Sequence, residues 1–265
     1  MRPSLAPLIW GLILVVLGAL FLAQELTNGA FDAGEFIGKA WPLLLIVVGA
    51  VLLLGAVTNR PRWEAVERWS TDLGGLQRAS VRIEFGAGSL FVGPGPAGKL
   101  VDGTFEGGVR ADVRDAEVRL RHDMDSGGWW WPFAGGRTRE WGVGLATGIP
   151  VSLRVDGSAS RNELDLAELT VPDLDVRTGA SESRIRLPRS GVSRARVDAG
   201  AASVRIVVPD GVAARVRGRL GLGSVHVDAR RFPEAAGGWA SPDFESAANR
   251  AEIEISGGVG SLRVE

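Results

Sequence analysis

Two stretches that lie one repeat length apart decide the fold: LDVRTGASESRIRL at Leu174–Leu187 and ARVDAGAASVRIVV at Ala195–Val208. Each reads apolar-x-apolar, then a run of Gly, Ala and Ser or Glu, then apolar-x-apolar. A period of two places the apolar side chains on one face and the charged ones on the other, as in a β-strand. The small residues between the two halves are typical of a tight corner at which no side chain fits.

The same unit recurs along the chain and predicts an all-β repeat domain. One such unit cannot bury its apolar face alone, whereas stacked neighbours can, so the repeat predicts a β-solenoid over residues 80–265. A β-sandwich of hairpins is the alternative, because hairpins also repeat with glycine turns. The further copies are Val81–Val92, Val151–Leu166, Ala214–Val227 and Ile253–Val264.

The glycines of the repeat set its spacing. Gly157, Gly179, Gly200 and Gly221 follow one another at a nearly constant interval of about 21 residues, and Gly257 follows after a longer one. The longer interval indicates an insertion of about 15 residues in one copy. The expected core positions are Val81, Ile83, Leu90, Val92, Leu153, Val155, Leu164, Leu166, Val176, Ile185, Leu187, Val197, Val204, Ile206, Val216, Val225, Val227, Ile253, Ile255, Leu262 and Val264.

The N-terminal part has a different character. Residues 5–23 and 40–57 carry no charge, and each run is long enough to cross the hydrocarbon core of a bilayer as a helix. The sequence therefore predicts a transmembrane hairpin over 1–59 and a juxtamembrane linker over 60–79. The residues expected to anchor the helices at the interface, to begin the second helix and to let the two helices pack closely are Trp10, Gly11, Gly18, Trp41, Pro42 and Gly49.

The charges that flank the two runs predict the orientation. The connection 24–39 carries Glu25, Asp32 and Glu35 against Lys39, whereas arginines lie on the outer flanks. The positive-inside rule then predicts a two-pass protein of the inner (cytoplasmic) membrane, with both termini in the cytoplasm. Beyond the hairpin, aromatic residues recur at helical spacing in Arg60–Ser70, which predicts either an amphipathic helix on the membrane surface or a plain linker.

Composition excludes several classes of function. The chain has no cysteine, and its 30 basic and 31 acidic residues give no bulk field that would attract nucleic acid. His122 and His226 are the only histidines, and the P-loop pattern fails because Leu100 follows Lys99. The stretch from His122 to Gly128 lacks the later ligands of a calcium loop. We expect a protein that is not an enzyme and has no cofactor and no metal.

An aromatic cluster lies in a Gly-rich segment that interrupts the repeat. Three consecutive tryptophans cannot all face one core, so the cluster predicts either a lid over the open end of the β core or a loop that contacts a partner or the membrane. The cluster consists of Trp129, Trp130, Trp131, Phe133 and Trp141.

The run Trp41-Pro42-Leu43-Leu44-Leu45-Ile46 with a downstream glycine resembles the transmembrane region of LiaI/LiaF-type bacterial cell-envelope-stress proteins. Those proteins carry a β-repeat domain, sometimes called a toast-rack domain, after their helices, and residues 80–265 are similar to it. The resemblance implies a non-catalytic membrane protein that senses or modulates envelope stress through a sensor kinase or another envelope protein. A tethered structural scaffold that forms homo-oligomers is the alternative. Membrane lipid is expected as a partner in both cases.

Overall fold

A computed structural model describes residues 66–122 and 139–265. Within those ranges the chain is all-β, and no helix there has the length and apolarity that a membrane span requires. The predicted transmembrane helices, at about 5–23 and 40–57, lie outside the described residues. The strands are β1 (Glu67–Asp72), β2 (Ala79–Pro94), β3 (Lys99–Phe105), β4 (Val109–Arg114), β5 (Glu117–His122), β6 (Glu140–Leu145), β7 (Val151–Asp165), β8 (Asp173–Arg186), β9 (Val192–Val207), β10 (Ala213–Val227), β11 (Glu234–Ala235), β12 (Gly238–Ala240) and β13 (Arg250–Val264).

Six long strands form the body of the sheet, in the order β2, β7, β8, β9, β13, β10. Neighbouring strands run parallel, and each ladder omits one residue midway; between β7 and β8 the pairing passes from Gly157 with Thr178 to Ala159 with Ala180. We name the omitted residue the corner, the part of a strand before it the first limb and the part after it the second limb. Buried positions alternate along both limbs, and both limbs contribute to one hydrophobic core.

The order of the strands follows the repeat and then departs from it. Val155 pairs with Val176, and Val176 pairs with Val197, at the register that the sequence repeat predicts. The last strand, β13, then lies between β9 and β10, and Ile253 pairs with Ala195 on one side and with Val216 on the other. The repeat alone predicts stacking in chain order. The difference arises because residues 228–249 pass beside β10 before the chain returns into the sheet.

The corner residues explain the glycines of the repeat. A Cβ atom on Gly179 would lie 2.6 Å from the carbonyl oxygen of Ser158, and one on Gly200 would lie 2.9 Å from that of Gly179. Backbone atoms would have to move to accept such a side chain, so the corners at Gly179 and Gly200 require glycine. The corner of β7 is Ser158 rather than the predicted Gly157, and that of β13 is Gly258 rather than Gly257.

The two ends of the sheet are covered differently. At one end β5 pairs with the first limb of β2 and β6 with its second limb, and β4 and β3 then cover β5 and β6 in antiparallel fashion. At the other end β12 pairs with Arg215 and Val216 of β10. Phe232 and Phe244, from the same 228–249 segment, are buried there.

The segment Arg60–Ser70, predicted to be an amphipathic helix or a linker, instead contributes a strand. β1 begins at Glu67 and pairs antiparallel with β3, with Trp69 opposite Gly103. Trp69 packs against the hydrophobic core, whereas Val66 is exposed. The prediction was wrong from Glu67 onward because the open edge of β3 offers ladder hydrogen bonds and burial that an isolated turn of helix lacks.

Burial agrees with the predicted apolar pattern. Every expected core position is buried except Val225, which is partly buried on β10, the outermost of the six long strands. His226 is exposed, as the alternation of its strand predicts. The all-β prediction is therefore confirmed, and the sheet is open rather than closed. The solenoid and the transmembrane hairpin stay predictions.

Candidate functional site: a charged groove across the first limbs

The outward side chains of the first limbs form two continuous rows across the sheet. They do so because parallel strands in register place equivalent residues side by side, about 4.8 Å apart. The row nearer the corner is Arg121, Glu84, Asp156, Arg177, Asp198, Ser256 and Arg219, and the row before it is Arg119, Arg82, Arg154, Asp175, Arg196, Glu254 and Arg217.

Opposite charges alternate along much of these rows and contact one another across the strands. Arg82 lies 2.8 Å from a carboxylate oxygen of Asp156 and 3.0 Å from one of Glu84. Arg154 lies 3.0 Å from Asp156 and 3.4 Å from Asp175. The hydrogen bond to Asp156 is the main cause that raises the pKa of Arg154 above its ordinary value. The first limbs therefore present a connected network of ion pairs.

A groove of about 1280 Å³ runs beside these rows at the corner. Its floor is nearly bare backbone, because Gly157, Ala199 and Gly257 supply little or no side chain. Arg177 and Asp198 line it from adjacent strands, and Ser256 donates a hydrogen bond to Asp198.

One end of the groove is distinctly basic. Arg110, Arg121 and His122 line it there, and Arg110 stands directly opposite Arg121 in the antiparallel pair of β4 and β5. Glu84 is the neighbour of Arg121 on β2. The groove thus passes from a basic end to a stretch in which both signs alternate.

The chemistry that this arrangement supports is recognition. Exposed ion pairs each contribute little to stability, but a fixed pattern of charge gives specificity and orients a partner. Glu84 and Asp156 both contact Arg82, so the carboxylates of this stretch serve as fixed members of the network. Open backbone between charged walls suits a ligand that contacts the floor closely.

The sequence prediction did not identify this groove, although a signal was present. Arg154, Asp175 and Arg196 follow one another at the interval of the repeat and alternate in sign. Outward positions at a fixed repeat offset become neighbours when the copies stack, so the alternation could have indicated a row of ion pairs.

The structure corrects one residue of the predicted aromatic contact set. Trp141 is 0% exposed and lies on β6, with its ring centroid 5.0 Å from that of Phe105 and 5.2 Å from that of Phe85. Its indole N–H donates to the carbonyl oxygen of Glu106 at 3.2 Å. Trp141 therefore belongs to the core, where its period-two register on β6 places it, and cannot contact a partner.

The other members of that set, Trp129, Trp130, Trp131 and Phe133, lie outside the described residues. The flanking pairings define where their segment leaves the sheet. Arg121 pairs with Glu84 before the corner of β2, and Glu140 pairs with Ser89 after it. In sequence, residues 123–138 connect β5 to β6, whereas a single corner residue separates the two limbs in the other copies. The predicted membrane-anchor residues Trp10, Gly11, Gly18, Trp41, Pro42 and Gly49 also lie outside the described residues.

Comparison with known families now identifies the chain. A family model described as the N-terminal domain of toast_rack, DUF2154, matches residues 61–207, which is more than half of the sequence. The chain belongs to the toast-rack family. A second model, the LiaI-LiaF-like transmembrane region, matches residues 8–53. The resemblance found in the sequence is confirmed, and this toast-rack protein is a membrane protein.

A solved structure shares the fold of this toast-rack protein. A crystal structure of a putative cell adhesion protein from Clostridium sporogenes matches with a TM-score of 0.64 at 17% identity, over 75% of this chain and 97% of that one. At that identity the likeness shows the fold alone. A putative adhesin from Bacteroides fragilis covers 76% of this chain and 99% of its own at 10% identity, but its TM-score of 0.26 carries no argument. No curated protein matches the sequence.

Proposed function

We propose that this toast-rack protein is a non-catalytic, membrane-anchored interaction protein that takes part in cell-envelope-stress signalling by binding a partner protein in the groove. The observation that carries the proposal is the charged groove with a backbone floor. The two family models that match are a toast-rack domain and a LiaI-LiaF-like transmembrane region, and neither describes an enzyme.

The alternation of charge defines the class of partner. A ligand of one sign, such as nucleic acid, would meet Glu84, Asp156 and Asp198 as well as the arginines. A polypeptide segment that carries both positive and negative side chains can pair with the carboxylates and with the arginines that line the groove. The backbone groups of such an extended segment can also approach the glycine floor closely. A membrane sensor kinase or another envelope protein is the candidate that supplies such a segment.

Three further expectations complete the proposal. Both termini lie in the cytoplasm, with a short acidic loop outside, and the repeat winds as a β-solenoid. The aromatic residues Trp129, Trp130, Trp131 and Phe133 form a second contact, with the partner or with membrane lipid. Reporter fusions at Glu265 and within 24–39 test the orientation, since an external Glu265 would reverse it.

The alternative of an end-to-end scaffold receives less support. Open-ended stacking needs two ends that continue the repeat. In the part of the chain that the structure describes, β3 and β4 cover one end and run antiparallel to the strands beneath them. A filament would have to continue across these antiparallel strands, whose sequences do not follow the repeat.

The groove is tested by site-specific photo-crosslinking of the full chain in its native membrane. A crosslinking amino acid replaces Arg177, which lines the groove, or Arg161, an exposed arginine on the outer side of the second limb of β7. We expect an envelope-stressed cell to give a crosslink to a membrane sensor kinase or envelope protein from position 177 and none from 161. Equal crosslinking from both positions, or none from 177, would overturn the proposal.

A signalling readout accompanies the crosslink. Arg177→Glu should change the output of an envelope-stress reporter several-fold, because it places a third carboxylate between Asp156 and Asp198 and removes the cation between them. The matched variant Arg161→Glu should leave the output unchanged. Membrane abundance of both variants is measured to show that each folds.

A further inference from the structure

The groove crosses the strands of the sheet instead of running along one of them. Its lining passes from Arg121 on β5 through Glu84 on β2 to Ser256 on β13. A polypeptide segment in the groove therefore lies across the strands and forms no ladder with them. Because paired backbone groups do not hold such a segment, the charged side chains along the groove decide which segment fits.

Two of the carboxylates that line the groove already have cations. Glu84 lies 3.0 Å from Arg82 and 3.2 Å from Arg119. Asp156 lies 2.8 Å from Arg82 and 3.0 Å from Arg154. Since both carboxylates form ion pairs within the sheet, a ligand gains little by supplying another cation to either of them.

Asp198 differs from these two carboxylates, because it lines the groove without a cation. Its carboxylate accepts a hydrogen bond from the hydroxyl of Ser256. Arg196, two residues before it, pairs instead with Glu254 at 3.1 Å. Within residues 66–122 and 139–265 Asp198 forms no ion pair, so a basic side chain of a ligand would be its first cationic partner there.

Two arginines of the groove can accept an anionic group. Among the described residues, Arg177 pairs only with Asp175 of its own strand, at 3.3 Å, and 49% of its side chain is exposed. At the basic end, Arg121 forms no ion pair with any residue that the structure describes, and its buried Nε–H has no acceptor among them. A buried donor that lacks an acceptor costs free energy, which an anionic ligand group would recover.

The strand spacing sets the distances between these three groups. Neighbouring strands lie about 4.8 Å apart, so Arg177 stands three strand spacings, about 14 Å, from Arg121, and Asp198 stands four, about 19 Å, from it. An extended segment advances about 3.3 Å per residue, so these distances correspond to about four and about six residues. Both offsets are even, and side chains at even offsets in an extended segment point to the same side.

We propose that the groove selects an extended polypeptide segment with two acidic residues four positions apart and a basic residue six positions from the first of them. The first carboxylate binds Arg121, the second binds Arg177, and the basic side chain binds Asp198. This charge pattern rests on the proposed function, because it specifies the partner segment that the groove binds. Glu84 and Asp156 line the groove between Arg121 and Arg177, so they disfavour a further acidic residue between the two.

Synthetic peptides test the pattern on the full chain in detergent. Fluorescence anisotropy at low salt compares labelled Glu-x-x-x-Glu-x-Lys and its reverse, Lys-x-Glu-x-x-x-Glu, where x is serine or threonine, with controls in which the lysine is moved by one position. We expect one of the two patterned peptides to bind about ten-fold more tightly than its control, and that peptide defines the direction of the segment. Equal affinities of the patterned peptides and their controls would overturn the proposal.

A charge exchange separates recognition from folding. Asp198→Lys should abolish the preference for the patterned peptide, and a peptide with glutamate in place of the lysine should restore it. Glu163→Lys, a change at an exposed carboxylate on the second limb of β7, is the control and should leave the preference unchanged. Failure of the exchanged peptide to restore binding, or an equal loss for Glu163→Lys, would contradict the pattern.

The crosslink from position 177 distinguishes this proposal from the function on which it rests. If the peptides show no preference while position 177 still crosslinks to a partner protein, the charge pattern is wrong and the proposed function stands. If the preference and the crosslink are both absent, the proposed function is wrong as well.

Discussion

The first and second limbs belong to the same six strands and share one repeat spacing. Their side-chain rows nevertheless differ, both on the face toward the core and on the outward face. Inside the first limbs, the row from Ile83 to Ile255 is entirely apolar. The corresponding row of the second limbs carries Asn162 and Ser183 between Leu90 and Val204. Both of these polar residues are buried.

Outside, the contrast concerns charge. On the first limbs Asp175 stands between Arg154 and Arg196, whereas on the second limbs Arg205 stands between Arg184 and Arg263. Opposite charges on neighbouring strands favour the observed register, and like charges oppose it. At Arg154, Asp175 and Arg196, the charges on the outward face therefore favour the same register as the apolar face, and these first limbs bear the groove.

The largest expected effect concerns the aromatic residue that closes the second limbs. Trp141→Ala should lower the free energy of unfolding by about 4 kcal/mol, because it leaves a cavity between Phe85 and Phe105 and removes a buried hydrogen bond. Urea unfolding of the full chain in detergent, followed by fluorescence, measures it. A loss near zero would return Trp141 to the surface and restore its predicted contact role.

The second largest loss of unfolding free energy is expected at the corner, which joins the two limbs of each strand. Gly200→Val should cost about 2 kcal/mol, since its Cβ would meet the carbonyl oxygen of Gly179. Gly148→Val is the matched control, because a Cβ there meets nothing within 4 Å. Equal losses for the two variants would show that the corner at Gly200 does not require glycine.

The polar interior of the second limbs can be compared directly with the apolar interior of the first. Asn162→Ala should destabilise by about 1 kcal/mol, because Asn162 donates to the hydroxyl of Ser183 at 3.1 Å and that buried hydroxyl would lose this donor, keeping only its longer contact with Ser181. Changing both, as Asn162→Leu with Ser183→Val, should be nearly neutral, since apolar residues occupy the same row on both sides. Strictly additive losses in the double-mutant cycle built from Asn162→Leu and Ser183→Val would contradict the pairing.

The smallest changes in stability are expected from charge reversals on the outward faces, and they should have opposite signs on the first and the second limbs. Arg196→Glu breaks an ion pair of 3.1 Å with Glu254 and should cost about 0.5 kcal/mol. Arg263→Glu replaces one of two adjacent arginines beside Arg205 and should stabilise by a few tenths of a kcal/mol at low salt. Both differences should shrink at high ionic strength. If the two substitutions shifted the unfolding midpoint in the same direction, the contrast between the limbs would fail.

The strands and the core could be predicted from the sequence because both follow from local patterns of apolar residues. Alternation identified residues such as Val176 and Ile206 as buried, and the constant interval of the repeat gave the register of β7, β8 and β9. It did not reach the groove, because Arg177 and Asp198 become neighbours only when the copies stack. Trp141 was assigned to the aromatic cluster by proximity in sequence, whereas its strand places it in the core.

The position of β13 could not be predicted for a related reason. The repeat states which residues pair in register but not which copy stands beside which, and every ordering of the copies satisfies the apolar pattern. The excursion 228–249 decides the order, and the ordering information lies in packing such as that of Phe232 and Phe244 rather than in any periodicity.

The place of β13 has a consequence for biosynthesis. β9 and β10 are synthesised before Arg250–Val264, the strand that lies between them in the folded sheet. The sheet therefore cannot be completed between β9 and β10 until Arg250–Val264 has been translated. A nonsense codon after Asn249 would remove an interior strand of the sheet rather than an edge strand. The product would lack the strand that pairs with both β9 and β10, and residues 228–249 would lose their place beside the completed sheet. Quality-control proteases should therefore recognise such a product far more readily than one lacking an outer strand.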